Sequence, residues 1–325
     1  MKSTSYSNIF SPLYVLLSGS LGVLIALAIF TVNYPLPGDQ VGQAFVAAQP
    51  FYIWVFLFAV LCCLLTVFIL PAWGMLILLV KQHDTEDKNR KRKIILVLVL
   101  EAVFLTGIVF ALLRFINSIR IGFHLDLYVP QGHSLRMSFM YAYTFLTSLP
   151  ALLGMLVIHS AAGELSTKIE AAGQTEAKLF PLIRELLPLR TLLQNYLTIL
   201  GIILSMVPIV TAGLRAILIS LNPENEQNFP ITNAILFGLV FTILLMLIYI
   251  PTHLALTETS RKLRDRLRPL TSLTSLKQDV EQRKLLDDLL QTNIGITQNL
   301  KTGLITLAPL ATSLITSVLK ITLPL

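Results

Sequence analysis

Charge is scarce in this chain: only 13% of its 325 residues are Asp, Glu, Lys or Arg, against about 25% in an ordinary soluble domain. With 54% hydrophobic residues and a mean hydropathy of +0.74, that scarcity excludes a soluble globular protein. It also bears on the net charge of +7. The basic residues gather beside the ends of hydrophobic runs, where they hold cytoplasmic loops and meet anionic head groups, so lipid and not nucleic acid is the expected partner. Cysteine is nearly absent. Cys62 and Cys63 are adjacent in mid-run with no His or acid nearby in sequence, which excludes a metal site or a redox relay there and leaves packing. Catalytic motifs are missing too. There is no His pair one helix turn apart, no Gly-x-Ser-x-Gly, no phosphate-binding glycine loop and no pair of Asp residues in two runs. An enzyme is not expected, and neither is a cofactor. The five His lie in loops or at run ends; His124, Asp126 and His133 share one outer loop, the sequence's one grouping suited to a metal.

What is present is a series of six long apolar runs, at 12–32, 51–80, 94–113, 138–158, 196–221 and 231–250. A hydrocarbon core of about 30 Å takes roughly 20 helical residues, so each is long enough to cross. Barrel strands are about ten residues long and alternate in polarity; these runs do neither, and the expected fold is an all-α polytopic membrane bundle. Only Lys2 precedes the first run, which is longer than a signal-peptide core and lacks a small-residue cleavage site close behind it, so it reads as a retained span.

Lys and Arg set the expected orientation. Lys81, Lys88, Arg90, Lys91, Arg92 and Lys93 follow the second run, Lys168, Lys178, Arg184 and Arg190 the fourth, and Arg261, Lys262, Arg264, Arg266 and Arg268 the sixth, while the gaps after the first and fifth have none. Those basic regions face the cytoplasm, the N-terminus lies there too, and the membrane is the plasma membrane, read as a bacterial inner membrane. Residues 1–255 then form a six-helix membrane domain and 256–325 a cytoplasmic helical region. Within the first, 177–194 reads as a helix in the membrane interface with Pro181 and Pro188 shaping its ends. Within the second, Asp279 with Arg283, Arg283 with Asp287 and Lys284 with Asp288 support a solvated helix whose Val280, Leu286, Leu289 and Leu290 form an apolar edge. The apolar segment 303–319 either docks on the bundle from the cytoplasmic side, the favoured reading, or makes a seventh span.

Polar groups within the runs carry the functional expectations. A charge in hydrocarbon costs roughly 2.5–3.5 kcal/mol, so Glu101 is expected to be protonated, paired with another span or facing water, and is the leading candidate for a pore lining or proton site. Arg114 and Arg215 stand near outer run ends, where they snorkel or line an outer vestibule with Asp126, Glu224 and Glu226. Arg261, Arg264 and Arg268 are read as lipid head-group contacts. Thr302, Thr306, Pro309, Ser313, Thr316 and Lys320 recur at alternating steps of four and three, so Thr306, Ser313 and Thr316 share a helix face that lines a conduit or packs against another helix, with the leucine face buried. Ser18, Gly22 and Ala26, and Gly201 with Ser205, mark close helix approaches. Pro71 and Pro208 take the same place in each half of a three-plus-three chain, the layout of an inverted repeat. The functions these residues permit are, in order, a homo-oligomeric ion channel or pore, a secondary transporter, and a membrane-embedded effector whose cytoplasmic helices meet a soluble partner.

Overall fold

A computed structural model describes residues 11–32, 34–82, 127–173, 175–269, 276–290, 292 and 296–318. Among these the regular structure is entirely helical, and five helices are long and apolar enough to cross a membrane. The predicted third run, 94–113, lies outside the described residues, and so do Glu101 and Arg114. The elements are α1 Pro12–Thr31, α2 Gln40–Ala47, α3 Gln49–Gln82, α4 His133–Ala172, α5 Glu176–Leu221, α6 Asn225–Asn228, α7 Thr232–Leu267, α8 Leu276–Leu290 and α9 Ile296–Val318. Helix α1 starts where the sequence provides a start signal: the Ser11 hydroxyl accepts from the Tyr14 N–H at 3.2 Å and Pro12 opens the first turn.

Helix α5 is the hub, packing on α3, α4, α7 and α9, while α1 lies along α3 and α9 fills the groove between α5 and α7. The small residues sit at these contacts. A Cβ on Gly22 would run into the Cys62 carbonyl, and one on Gly201 would stand 2.7 Å from Ile305 Cγ2, so both close approaches are within one chain. The bundle has two unlike ends. Loops 34–39 and 127–132 lie at one, the loop end; at the other, the basic end, Lys168 pairs with Glu185 and Lys262 with Glu170, each at 2.9 Å.

Proline recurs in every described long helix after α1: Pro71, Pro150, Pro208, Pro251 and Pro309. The matched pair Pro71 and Pro208 is therefore not distinctive among the described helices. Each proline withholds the N–H that would bond the carbonyl four residues back, and neighbouring helices answer in two cases. Tyr14 Oη donates to the Val67 carbonyl released by Pro71 at 3.0 Å, and Trp73 Nε1 donates to the Leu146 carbonyl released by Pro150 at 3.3 Å. At Pro309 the following amide, Leu310 N–H, donates across to Thr242 Oγ1 at 3.2 Å.

Three expectations change. First, 177–194 is not a separate helix with prolines at its ends: it is the first half of α5, continuous through Pro181 and Pro188. Its Leu179, Leu182, Leu186, Leu189 and Leu193 are buried, because α4 and α7 also run past their apolar spans and enclose it. Helices of 40, 46 and 36 residues are about 54–69 Å long, well beyond a hydrocarbon core. Second, Arg283 reaches across to α7. Its Nη2 reaches Asp265 at 3.2 Å and its Nε donates to the Arg268 carbonyl at 2.8 Å, while Arg264 meets Asp287 at 2.7 Å, so charges that were expected to be solvated fasten α8 to the end of α7. On α8 itself Leu290 is buried, whereas Val280, Leu285 and Leu289 stay exposed.

The third concerns α9. Ile305 meets Gly201, Leu310 meets Thr242 and Ser313 meets Gly238, so α9 runs parallel to α5 and antiparallel to α7, beside their apolar stretches. Its leucine face is not buried. Leu304, Leu307, Leu314 and Ile315 are between 41% and 61% exposed, whereas Ser313 is fully covered and Thr306 and Thr316 are nearly so. The hydroxyl face is the one that can come close: its small side chains permit tight contact with α5 and α7, which the leucines would prevent.

Candidate functional site

The residues singled out in the sequence are dispersed over the bundle. Thr306, Ser313 and Thr316 line up in the seam of α9 with α5 and α7, and each hydroxyl donates to a carbonyl of its own helix at 2.7–2.9 Å. Ser313 fits against Gly238, where a Cβ would collide with it. Arg215, at the loop end of α5, donates from Nε to the Phe229 carbonyl at 2.7 Å and meets Glu226 at 3.3 Å, tying the loop between α5 and α7 to the bundle. Of the three arginines read as head-group contacts, Arg264 pairs with Asp265 and Asp287, and Arg268 pairs with Glu176 at 3.1 Å. These two serve helix-to-helix fastening; Arg261 alone of the three is exposed without a described ion pair.

Two clusters escaped sequence reading. At the loop end His133 is buried, its ring stacked on Trp54 with centroids 5.8 Å apart and its Nδ1 2.8 Å from Tyr34 Oη. Arg136 covers the Tyr34 ring at 4.7 Å and donates to the Ile29 and Val32 carbonyls, and Asp39 accepts from the Gly42 and Gln131 N–H groups at 2.8 and 2.7 Å. Burial holds the Tyr34 phenol above its ordinary range, so it is neutral. These contacts knit the two loops and the start of α4 together. His133 thus meets Tyr34; its sequence companions His124 and Asp126 lie outside the described residues, among which no group of three metal-ligating side chains occurs. Toward the basic end, buried Arg190 donates to Ser260 Oγ at 2.9 Å, and Tyr249 meets His253 at 3.3 Å one turn further along α7.

A cavity provides the third feature. Thr252 Oγ1 donates to the Met155 carbonyl at 3.3 Å and Thr259 Oγ1 to the Ala162 carbonyl at 3.1 Å, a constant offset showing that α4 and α7 run parallel and in contact there. Toward the loop end the space between them opens into a cavity of about 260 Å³. Met137, Tyr141 and Phe145 of α4 and Leu236, Phe237 and Phe241 of α7 form its flanks; α5 with Leu200, Leu204 and Val207, and α3 with Phe58 and Leu61, close the back. Asn233 stands at the loop-end rim and Ser148 deep inside. The outer flanks adjoin exposed apolar side chains, Leu236 at 50% and Ile243 at 47%. Such a chamber accepts apolar matter by dispersion and area burial and offers a charged solute nothing. The chain matches no protein-family model, no curated protein and no solved structure.

Proposed function

We propose that this is an integral membrane protein, set in a plasma membrane of bacterial inner-membrane type with its basic end and N-terminus in the cytoplasm, that draws an apolar ligand sideways from the bilayer into the cavity between α4 and α7. One observation carries the reading: four helices converge on an apolar chamber whose flanks continue into exposed apolar surface. In this placement α9 lies at the depth of the α7 span and acts as a further membrane helix, while the far halves of α4, α5 and α7 with α8 form a cytoplasmic stalk. The exposed Leu285 and Leu289 of α8 are the surface for a soluble partner if the protein is an effector. The test is labelling of purified protein in lipid nanodiscs with an alkyl diazirine. Val240→Trp, which fills the chamber, should remove adducts on cavity peptides, whereas Leu247→Trp on the exposed face should not. Equal labelling of both variants refutes the chamber as the site.

The ion channel or pore, homo-oligomeric and lined by Glu101, is the second reading, favoured by an acidic residue within the apolar run 94–113. It is tested by ion flux in liposomes. Glu101→Gln should change conductance or its pH dependence with folding intact, and unchanged flux removes Glu101 from the path.

A further inference from the structure

Ser148 is 6% exposed, lines the cavity, and among the described residues its Oγ makes no hydrogen bond. Its neighbours behave differently. Ser138, Thr144 and Thr147 on the same helix each donate to the carbonyl four residues back, at 2.8, 2.9 and 3.0 Å, the usual resort of a hydroxyl in an apolar helix. Thr211, which also lines the cavity, does the same at 2.8 Å. An unmet buried hydroxyl is costly, so one that forgoes the bond available to it stands where a ligand group can serve it.

Other polar groups of the lining are placed differently: Thr144 and Thr211 are spent on their own helices, and Asn233 stands at the rim. The chamber is therefore apolar over most of its wall, with one unspent hydroxyl, from α4.

Resting on the reading of the cavity as a ligand chamber, we infer that its ligand is a neutral, hydroxyl-bearing amphiphile, whose oxygen accepts from Ser148 Oγ. Neutrality follows from the lining, which holds no charged side chain, and from the cost of an unpaired charge in such a site. The chamber's 260 Å³ gives room for a short chain or a ring rather than a few waters. A ligand hydroxyl serves Ser148 as acceptor, where an alkane cannot.

Two probes of equal length decide it: an alkyl diazirine of about eight carbons and its ω-hydroxyl counterpart, each titrated against protein in nanodiscs, with adducts mapped by mass spectrometry. The hydroxyl probe should reach half-labelling of cavity peptides at about fivefold lower concentration, the net worth of one neutral hydrogen bond. Ser148→Ala should abolish that preference and leave alkyl labelling unchanged; Ser148→Thr should keep it. No preference in the native protein, or a preference surviving in Ser148→Ala, overturns the inference while leaving the chamber intact. Failure of both probes to label the cavity overturns the chamber reading as well.

Discussion

Gly238 gives the sharpest test of how α9 is seated. It lies within α7, a helix interior where Ala is favoured over Gly by up to about 1 kcal/mol, so Gly238→Ala would stabilise an exposed site. Here the added Cβ stands 2.6 Å from the Pro309 carbonyl oxygen and 2.7 Å from Ser313 Cβ, with Ser313 Oγ closer still. The carbonyl belongs to backbone, so the strain cannot be shed by turning a side chain, and overpacking of this kind costs about 1–3 kcal/mol. The strain outweighs the propensity gain, for a net loss of about 1–2 kcal/mol. Gly163→Ala is the matched control: Gly163 is an exposed residue inside α4 with nothing within 4 Å of an added Cβ, and it should gain up to about 1 kcal/mol. Thermal unfolding in mild detergent, followed by intrinsic fluorescence, should therefore move in opposite directions for the two variants, by a few degrees. Ser313→Ala in the Gly238→Ala background should recover less than half the loss, because the carbonyl contact persists. A Gly238→Ala protein as stable as Gly163→Ala refutes the seating of α9 against α7.

Other expectations follow from the same contacts. With native cysteines replaced, Gln43→Cys on exposed α2 should react with an impermeant maleimide from outside intact cells and Asp288→Cys on α8 only after permeabilisation; the reverse pattern overturns the orientation. Trp73→Phe should cost about 1 kcal/mol by stranding the Leu146 carbonyl, and the cost should vanish in a Pro150→Ala background, where the helix supplies its own N–H; equal losses in both backgrounds in a denaturation series contradict the account. Asp287→Ala leaves Arg264 without its α8 partner, at a cost of about 2 kcal/mol for a part-buried pair, and should speed proteolysis within α8 while sparing the apolar core. Truncation after Leu300 should abolish assembly on size exclusion, and Ser313→Leu should impair it more than Leu314→Ile, since Ser313 is fully buried and Leu314 is 45% exposed.

Hydropathy made the helical membrane class legible, because lipid imposes length and composition run by run. The extent of the helices was less so. Pro181 and Pro188 read as boundaries, yet Leu179, Leu182, Ile183, Leu186, Leu189 and Leu193 keep a three-or-four spacing straight through them, and burial between α4 and α7 outweighs two lost backbone bonds. The α9 stripe was visible, but its sense depended on the neighbours, α5 and α7, which small side chains can approach closely and leucines cannot. The cavity was illegible for a different reason. Its walls come from four helices, and Ser148 differs from Thr144 and Thr147 only in where α5 and α7 happen to pass. The arginines show the same limit from the other side, since a cluster of positive charge looks alike whether it meets phosphate or Asp287.

Pro251 lies one residue before Thr252, where α7 is pinned to α4, with a second pin at Thr259. That arrangement divides α7 into two lengths held by different partners. Below the joint two hydroxyl bonds fix the helix to α4; above it the Leu310 amide meets Thr242 and Ser313 seats against Gly238, so α9 takes over. The rung missing at Pro251 lowers the stiffness against bending between the two lengths. Thr232 is nineteen residues above the joint, about 28 Å away, so a bend of about 5° there would carry the mouth of the chamber roughly 2.5 Å, and only together with α9.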